Sequence, residues 1–294
     1  MHDFDYLSPP NFQELSRMVA DYGCQARLLA GGTDLIVNMR CGRDRPSVVV
    51  DTKRVAELNQ IKLSRTRLVV GASVSCRRIW EQPEITQRFP ALIDSVTLIG
   101  GIPIQSRASV GGNLCNAAPS GDAIPSLIAL RATAQICGPN DLREVPVEDF
   151  CSGAGENTLA KDEFLVSLTI PQPAQNSSTS FLRFTPRNEM DIAVVNAAAN
   201  VTLSETKTTF LSARLAVGSV APVPLFVEEA GKSLIGKSVC TANVVAAAEI
   251  AVAHARPIDD MRGTFSQRKQ LTKVLTIRTL LKAIKRAGGT IDDV

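Results

Sequence analysis

The sequence lacks the ligand sets of a metalloprotein. Histidine occurs only at positions 2 and 254, and the seven cysteines stand at 24, 41, 76, 115, 137, 151 and 240. No C-x-x-C spacing results, so neither a structural zinc nor an iron–sulfur cluster is expected in this chain. An odd, dispersed set of thiols predicts free cysteines in a cytoplasmic protein. Aromatic residues make up only 4% of the chain, with two Tyr and one Trp, which disfavours a stacking platform for single-stranded nucleic acid. Net charge is only +3, and Lys and Arg are scattered, which again argues against nucleic-acid binding. No apolar run reaches the ~18 residues of a membrane span. Met1 to Tyr6 shows neither the basic nor the apolar region of a signal peptide. G-x-G-x-x-G is absent too, so a Rossmann-type nicotinamide domain is unsupported.

What is present suits a soluble globular protein. The 294 residues are 45% hydrophobic and 21% charged, which predicts two or three domains at ~150 residues each. Pro9-Pro10-Asn11 reads as a helix start, with Phe12, Leu15 and Val19 on one face. Short apolar runs at Ala26 to Ala30 and at Ser47 to Asp51 complete a small β-α-β unit. Strands are predicted at Arg67 to Gly71, Ala132 to Cys137 and Phe164 to Ile170. Helices are predicted around Ile79–Trp80, over Leu92 to Ile99 with a stop at Gly100-Gly101, and over Ile124 to Leu130. Gly100 to Asp122 reads as a long functional loop. A domain boundary is placed in Pro171 to Ser180, where composition changes most sharply. Beyond it, three strands and two helices (Thr241 to Ala255 and Ser266 to Ala287) predict a small α+β unit.

Two glycine turns carry the chemistry. The first is Leu28-Leu29-Ala30-Gly31-Gly32-Thr33-Asp34 and the second is Ser109-Val110-Gly111-Gly112-Asn113, followed at some distance by Asp122. Apolar residues lead into each, which predicts a strand end before each turn. Such turns bring backbone N–H groups close to an anion, and two of them can clamp the two phosphates of a dinucleotide. Gly231 to Ser238 also fits G-x-x-x-x-G-K-[ST] in full. It is rejected as a P-loop because Pro222, Pro224 and Glu228-Glu229-Ala230 precede it where a buried strand is required, and a helix end with Gly236 as C-cap is expected instead.

Ala30-Gly31-Gly32-Thr33-Asp34-Leu35 together with Ala108-Ser109-Val110-Gly111-Gly112-Asn113-Leu114 and Asp122 resembles the FAD-binding subunit of the molybdenum hydroxylases, the group of xanthine dehydrogenase and carbon monoxide dehydrogenase. Phe181 to Phe184, Met190 to Ala193 and Arg256 to Gly263 resemble the family's later segments. The resemblance implies a two-subdomain FAD-binding domain of the vanillyl-alcohol-oxidase/MurB type over residues 1–173, with subdomains of about 1–57 and 58–173. A C-terminal α+β domain with a three-stranded sheet would occupy 174–294. It implies a large partner with the molybdenum cofactor, a small partner with [2Fe–2S] clusters, a heterotrimer or its dimer, and an external acceptor such as NAD or quinone.

By the same resemblance, Leu28 to Leu35 would wrap the pyrophosphate, and Ala108, Ser109, Gly111, Gly112 and Asn113 would meet it from the other side. Asn116, where some relatives have Thr, and Asp122 would bond hydroxyls; Leu165 would pack on the isoalloxazine, and Arg183 would lie near its polar edge. No catalytic acid or base is implied, since the ring carries the redox chemistry. Other readings of the same residues stay open. Gly31-Gly32 also fits a plain tight turn, Asp34 and Asp122 also fit helix N-caps, Leu165 also fits the core, and Cys115 fits a small apolar filler. A standalone FAD-dependent oxidoreductase of the same fold is the alternative function.

Overall fold

A computed structural model describes residues 1–188 and 190–291, and counts and absences below refer to these. The first unit runs β1 (Asp5–Leu7), α1 (Phe12–Tyr22), β2 (Ala26–Leu29), α2 (Leu35–Arg40) and β3 (Val48–Asp51). Its three strands form a parallel sheet in the order β1-β3-β2. Asn11 starts α1 as expected, its side chain accepting from Glu14 N. Leu15 and Val19 of that helix pack on Val48 and Val50 of the central strand. The edge strand β1 joins the β-α-β unit read from the sequence.

The second unit begins with β4 (Ile61–Leu63) and β5 (Arg67–Gly71). Six short helices follow: α3 (Cys76–Trp80), α4 (Pro83–Arg88), α5 (Pro90–Val96), α6 (Ile102–Gln105), α7 (Val110–Asn116) and α8 (Ala123–Ala129). The chain then returns through β6 (Thr133–Cys137), β7 (Leu142–Pro146), the hairpin β8 (Cys151–Gly153) and β9 (Glu156–Asn157), and β10 (Phe164–Pro171). The five-stranded sheet has the order β4-β5-β10-β6-β7 and is antiparallel at every pairing. β10 is central and buried on both faces, so its apolar residues run nearly unbroken. Leu92 and Val96 lie on α5, which ends at Val96, short of Gly100-Gly101. The stretch 100–122 is not a long loop. It holds α6 and α7.

The third unit comprises β11 (Ser177–Phe184), β12 (Val195–Leu203), β13 (Phe210–Gly218), β14 (Leu225–Phe226), α9 (Glu228–Lys232), α10 (Thr241–His254) and α11 (Phe265–Arg286). The sheet is antiparallel with four strands rather than three, because the two-residue β14 adds an edge to β13. Both long helices are where the sequence puts them, and they share one core with the inner faces of β12 and β13. Met190 of the resemblance lies beyond β11 with φ +54°, and its sulfur accepts from Gly101 N at 2.9 Å.

The Walker-like segment is no phosphate loop. Gly231 lies inside α9, where an added Cβ would meet Ala213 O of β13 at 2.3 Å. Gly236 adopts φ +77° in a turn beyond Ser233, the actual C-cap. The strand before it belongs to an antiparallel sheet, whereas a P-loop needs a parallel one.

Ion pairs tie the third unit to the second. Asp94 of α5 accepts from Lys282 Nζ at 3.2 Å and from Arg286 of α11 at 2.5 and 2.9 Å. Arg214 of β13 donates to Glu148 at 2.7 Å and lies over the Phe226 ring.

Candidate functional site

The first glycine turn leaves β2 at Leu29 and enters α2 at Leu35. Its two glycines do different work. Gly32 takes φ +75°, a conformation open to glycine at little cost. Gly31 has no such φ. Instead, a Cβ there would stand 1.9 Å from Arg107 O and 2.9 Å from Ala108 N. The first turn therefore rests backbone-to-backbone on the segment that opens the second motif. Asp34 occupies the N-cap position of α2 but makes no side-chain capping bond. It faces the cleft described below, reached by solvent yet crowded by protein atoms that raise its pKa by desolvation.

The second motif is not a turn at a strand end, contrary to the expectation from sequence. It is the first turn of α7, with Ser109 as N-cap accepting from Gly112 N at 3.0 Å. Cys76 N donates to Ala108 O at 2.8 Å, fixing the entry. A Cβ on Gly111 would meet Ala72 O at 2.4 Å, so only glycine lets α7 sit this close to the segment after β5. Two glycines in seven residues are poor helix formers; the cap and this packing impose the helix. The first-turn amides of Val110 and Gly111 have no intrahelical acceptor.

Between the motifs lies a cleft of about 600 Å³, within the range of cofactor sites. Leu28, Ala30, Gly31, Gly32, Thr33, Asp34 and Leu35 line one side, and Ala108, Ser109, Gly111, Gly112, Asn113 and Asn116 line the other. Leu165 of β10 closes one wall and is 3% exposed, so it is at once core and lining. A β-bulge between Leu165 and Ser167 shifts the register against β6 there, a device that re-aims side chains. Cys115 is also in the wall. Burial pushes its thiol up to about 12, which keeps it protonated and unreactive.

Three expected residues do not line the cleft. Leu29 lies behind the lining, its side chain against Gly32, and its carbonyl accepts from Thr52 N at 3.1 Å. Asp122 and Arg183 are engaged with each other: Arg183 Nη1 donates to Asp122 Oδ2 at 2.5 Å, and Asn196 Nδ2 donates to Oδ1 at 3.3 Å. Burial pushes the Asp122 carboxyl up to about 6, against the pull of Arg183 and Asn196. Neither side chain lines the cleft, and each is the other's buried partner. Nor does Asp122 cap α8. The cap comes from Asn113 Oδ1, which accepts from Ala123 N at 3.2 Å. The second motif thus also sets the position of the next helix.

Sequence reasoning missed the third wall. Residues 157–161 with Glu163 cross beside the cleft. Asn157 Nδ2 donates to Cys115 O at 2.7 Å, and Gly155 N donates to Ala117 O at 3.0 Å. Glu163 accepts twice from Arg143 at 2.7 Å and once from Ala160 N at 2.8 Å. Arg143 holds the Glu163 carboxyl below the usual carboxylate range. Only the pattern of Asn, Gly and acidic residues around β9 hinted at this strap. Thr52, Ser73 and Ile99 were missed as well.

The donor set is mostly neutral. Arg27, beside the cleft, is bound to Asp44 at 3.4 Å, and Arg107 meets the first turn through its carbonyl. Backbone amides and hydroxyls face the space between the motifs, an arrangement suited to a pyrophosphate. Leu165, Ile99 and Cys115 offer an apolar surface for a flat ring. On these features the cleft fits FAD. No group of three or more His, Cys, Asp or Glu residues among those described is placed to hold a metal.

Comparison with known proteins agrees. A family profile described as "FAD binding domain in molybdopterin dehydrogenase" matches residues 2–173, and one for the carbon monoxide dehydrogenase flavoprotein C-terminal domain matches 180–283. The xanthine dehydrogenase FAD-binding subunit of Escherichia coli O157:H7 is 30% identical, with 99% of this chain and 100% of that protein covered. The carbon monoxide dehydrogenase medium chain of Hydrogenophaga pseudoflava is 28% identical, with 97% and 98% covered. Among solved structures, a chain of that bacterium's carbon monoxide dehydrogenase superposes with TM-score 0.93 at 28% identity, covering 97% of this chain and 98% of that one. A chain of quinoline 2-oxidoreductase from Pseudomonas putida 86 superposes with TM-score 0.89 at 30% identity, covering 97% and 98%. The chain belongs to the molybdopterin dehydrogenase FAD-binding family, as a flavoprotein subunit of the xanthine and carbon monoxide dehydrogenase type.

Proposed function

We propose that this chain is the electron outlet of a molybdenum hydroxylase. It takes electrons from the [2Fe–2S] clusters of a small partner, which a large molybdenum-cofactor subunit feeds, and delivers them to an external acceptor such as NAD or quinone. The observation that carries this reading is the backbone contact of Gly31 with Arg107 and Ala108, which brings two neutral, amide-rich motifs together around one cleft. The lack of metal-ligand clusters among the described residues is consistent with metal centres held by partners.

Each lining residue has a role in this reading. The amides of Gly31 to Leu35 and of Val110 and Gly111 bind the pyrophosphate, and the side chains of Asn113 and Asn116 bond hydroxyls of the ligand. Leu165 and Ile99 exclude water from the ring. Asp122 and Arg183 act behind the lining, as a buried pair that fixes the approach of α8 to β11. When bound, FAD supplies the conversion between two-electron and one-electron transfer. The fold reading assigns residues 1–173 to the vanillyl-alcohol-oxidase/MurB type, with subdomains of about 1–57 and 58–173, and 174–294 to the C-terminal domain. The complex is read as a heterotrimer or its dimer in the cytoplasm; no helix among the described residues is long and apolar enough to cross a membrane.

The test is purification of the tagged chain from its native host. The expected result is co-purification of molybdenum and of [2Fe–2S] clusters, seen by metal analysis and low-temperature paramagnetic resonance. A chain that carries flavin, arrives alone and turns over a substrate unaided would instead establish the standalone oxidoreductase.

A further inference from the structure

Two hydroxyl groups stand at the base of the cleft between the two motifs. Thr52 Oγ1 lies 2.6 Å from Ser73 Oγ and 3.2 Å from Leu29 O. Leu29 leads directly into the first glycine turn. Ala72, next to Ser73, is the residue on which Gly111 of the second motif packs. Thr52 is buried and Ser73 half-buried, and both face the cleft.

Each hydroxyl carries one hydrogen. In one arrangement Ser73 donates to Thr52 and Thr52 donates to Leu29 O, leaving only lone pairs of Ser73 toward the cleft. In the reverse arrangement Thr52 donates to Ser73, and the Ser73 hydrogen turns into the cleft. The reversal orphans nothing, because Leu29 O keeps the Thr52 N–H at 3.1 Å in both cases. An anionic ligand selects the second arrangement.

Arg27 and Lys161 are the basic residues of the cleft wall, and Lys161 belongs to the strap rather than to either motif. Arg27 is tied to Asp44 and donates to Cys24 O at 3.2 Å. Lys53 Nζ is held by Asp51 at 2.8 Å and does not line the cleft. Neither motif contributes a basic side chain to the lining, which leaves amides and hydroxyls as its donors.

We infer that Ser73 is a further FAD-binding residue, donating its hydroxyl hydrogen to the pyrophosphate, with Thr52 as its positioning residue. The inference rests on the FAD reading above. FAD titration of the full-length, flavin-stripped chain tests it, alongside melting of the flavin-free chain. Ser73→Ala weakens FAD binding about tenfold, and Thr52→Val about threefold. Thr52→Ser restores wild-type affinity, and the Ser73→Ala/Thr52→Val double variant binds no worse than Ser73→Ala alone. The flavin-free variants melt with the wild type. Unchanged affinity in Ser73→Ala overturns the assignment, as do additive losses in the double variant or a loss matched by a lower flavin-free melting temperature. A wild-type chain that never takes up FAD overturns the FAD reading itself.

Discussion

Gly31 and Gly236 separate two reasons for a glycine. At Gly236, φ is +77° and nothing lies within 4 Å of an added Cβ. Alanine there costs about 1 kcal/mol of backbone strain. At Gly31 the backbone is ordinary, but a Cβ would sit 1.9 Å from Arg107 O. Alanine must push the two motifs apart, at a cost of roughly 1–3 kcal/mol. Gly31→Ala is therefore expected to lower FAD affinity at least tenfold, on the order of 1.4 kcal/mol, while Gly236→Ala leaves it unchanged. Fluorescence titration of both variants checks this, and equal affinities would remove the contact from its central place. At this scale the sequence was only partly legible. It marked Gly31-Gly32 and Gly111-Gly112 as sites of close approach, but not that Gly31 approaches protein rather than ligand. Asp122 was open between capping and binding because its partner Arg183 lies 61 residues away. No local pattern announces a pairing across that separation.

At the scale of elements, periodicity and caps read well where they are local. Asn11, Leu15 and Val19 gave α1, and the run Val48 to Val50 gave β3. Strands β1, β4 and β7 were missed because they are short and half-exposed, with little apolar content to mark them. Helix α7 was missed because its glycines oppose helix on propensity, and Ser109 and Ala72 override them. The strap beside the cleft depends on Glu163, whose pKa is lowered by Arg143. A lowered folded pKa means that the unfolded chain binds more protons in acid, so the pair stabilises above pH ~4.3 and the gain is lost as pH falls through the folded value. Arg143 is about one-third exposed, so the pair is worth about 1 kcal/mol. Glu163→Gln should lower stability by that amount at pH 7, and urea melts should show the gap to wild type closing in acid below pH ~4. A gap independent of pH would mean that the carboxylate's charge contributes nothing there.

For the whole molecule, three sheets each bury their own core, and side-chain bonds at Asp94, Asp122 and Glu148 join the third unit to the second. One of these anchors sits near the cleft elements: Asp122 precedes α8, whose cap is Asn113 of the second motif. The C-terminal unit thereby supports a site to which it contributes no lining residue. The sequence conveyed the composition of this unit and its two long helices, but not that support, because the bonds involved connect residues 61 to 192 positions apart. The scarcity of metal ligands in the sequence and the dinucleotide-sized cleft in the structure belong together if this chain receives electrons rather than generating them. That account stands or falls on the cofactor. Denaturing the purified chain and separating the released flavin by chromatography should give about one FAD per chain, the stoichiometry of a single site. A colourless chain that stays empty after incubation with FAD would contradict it.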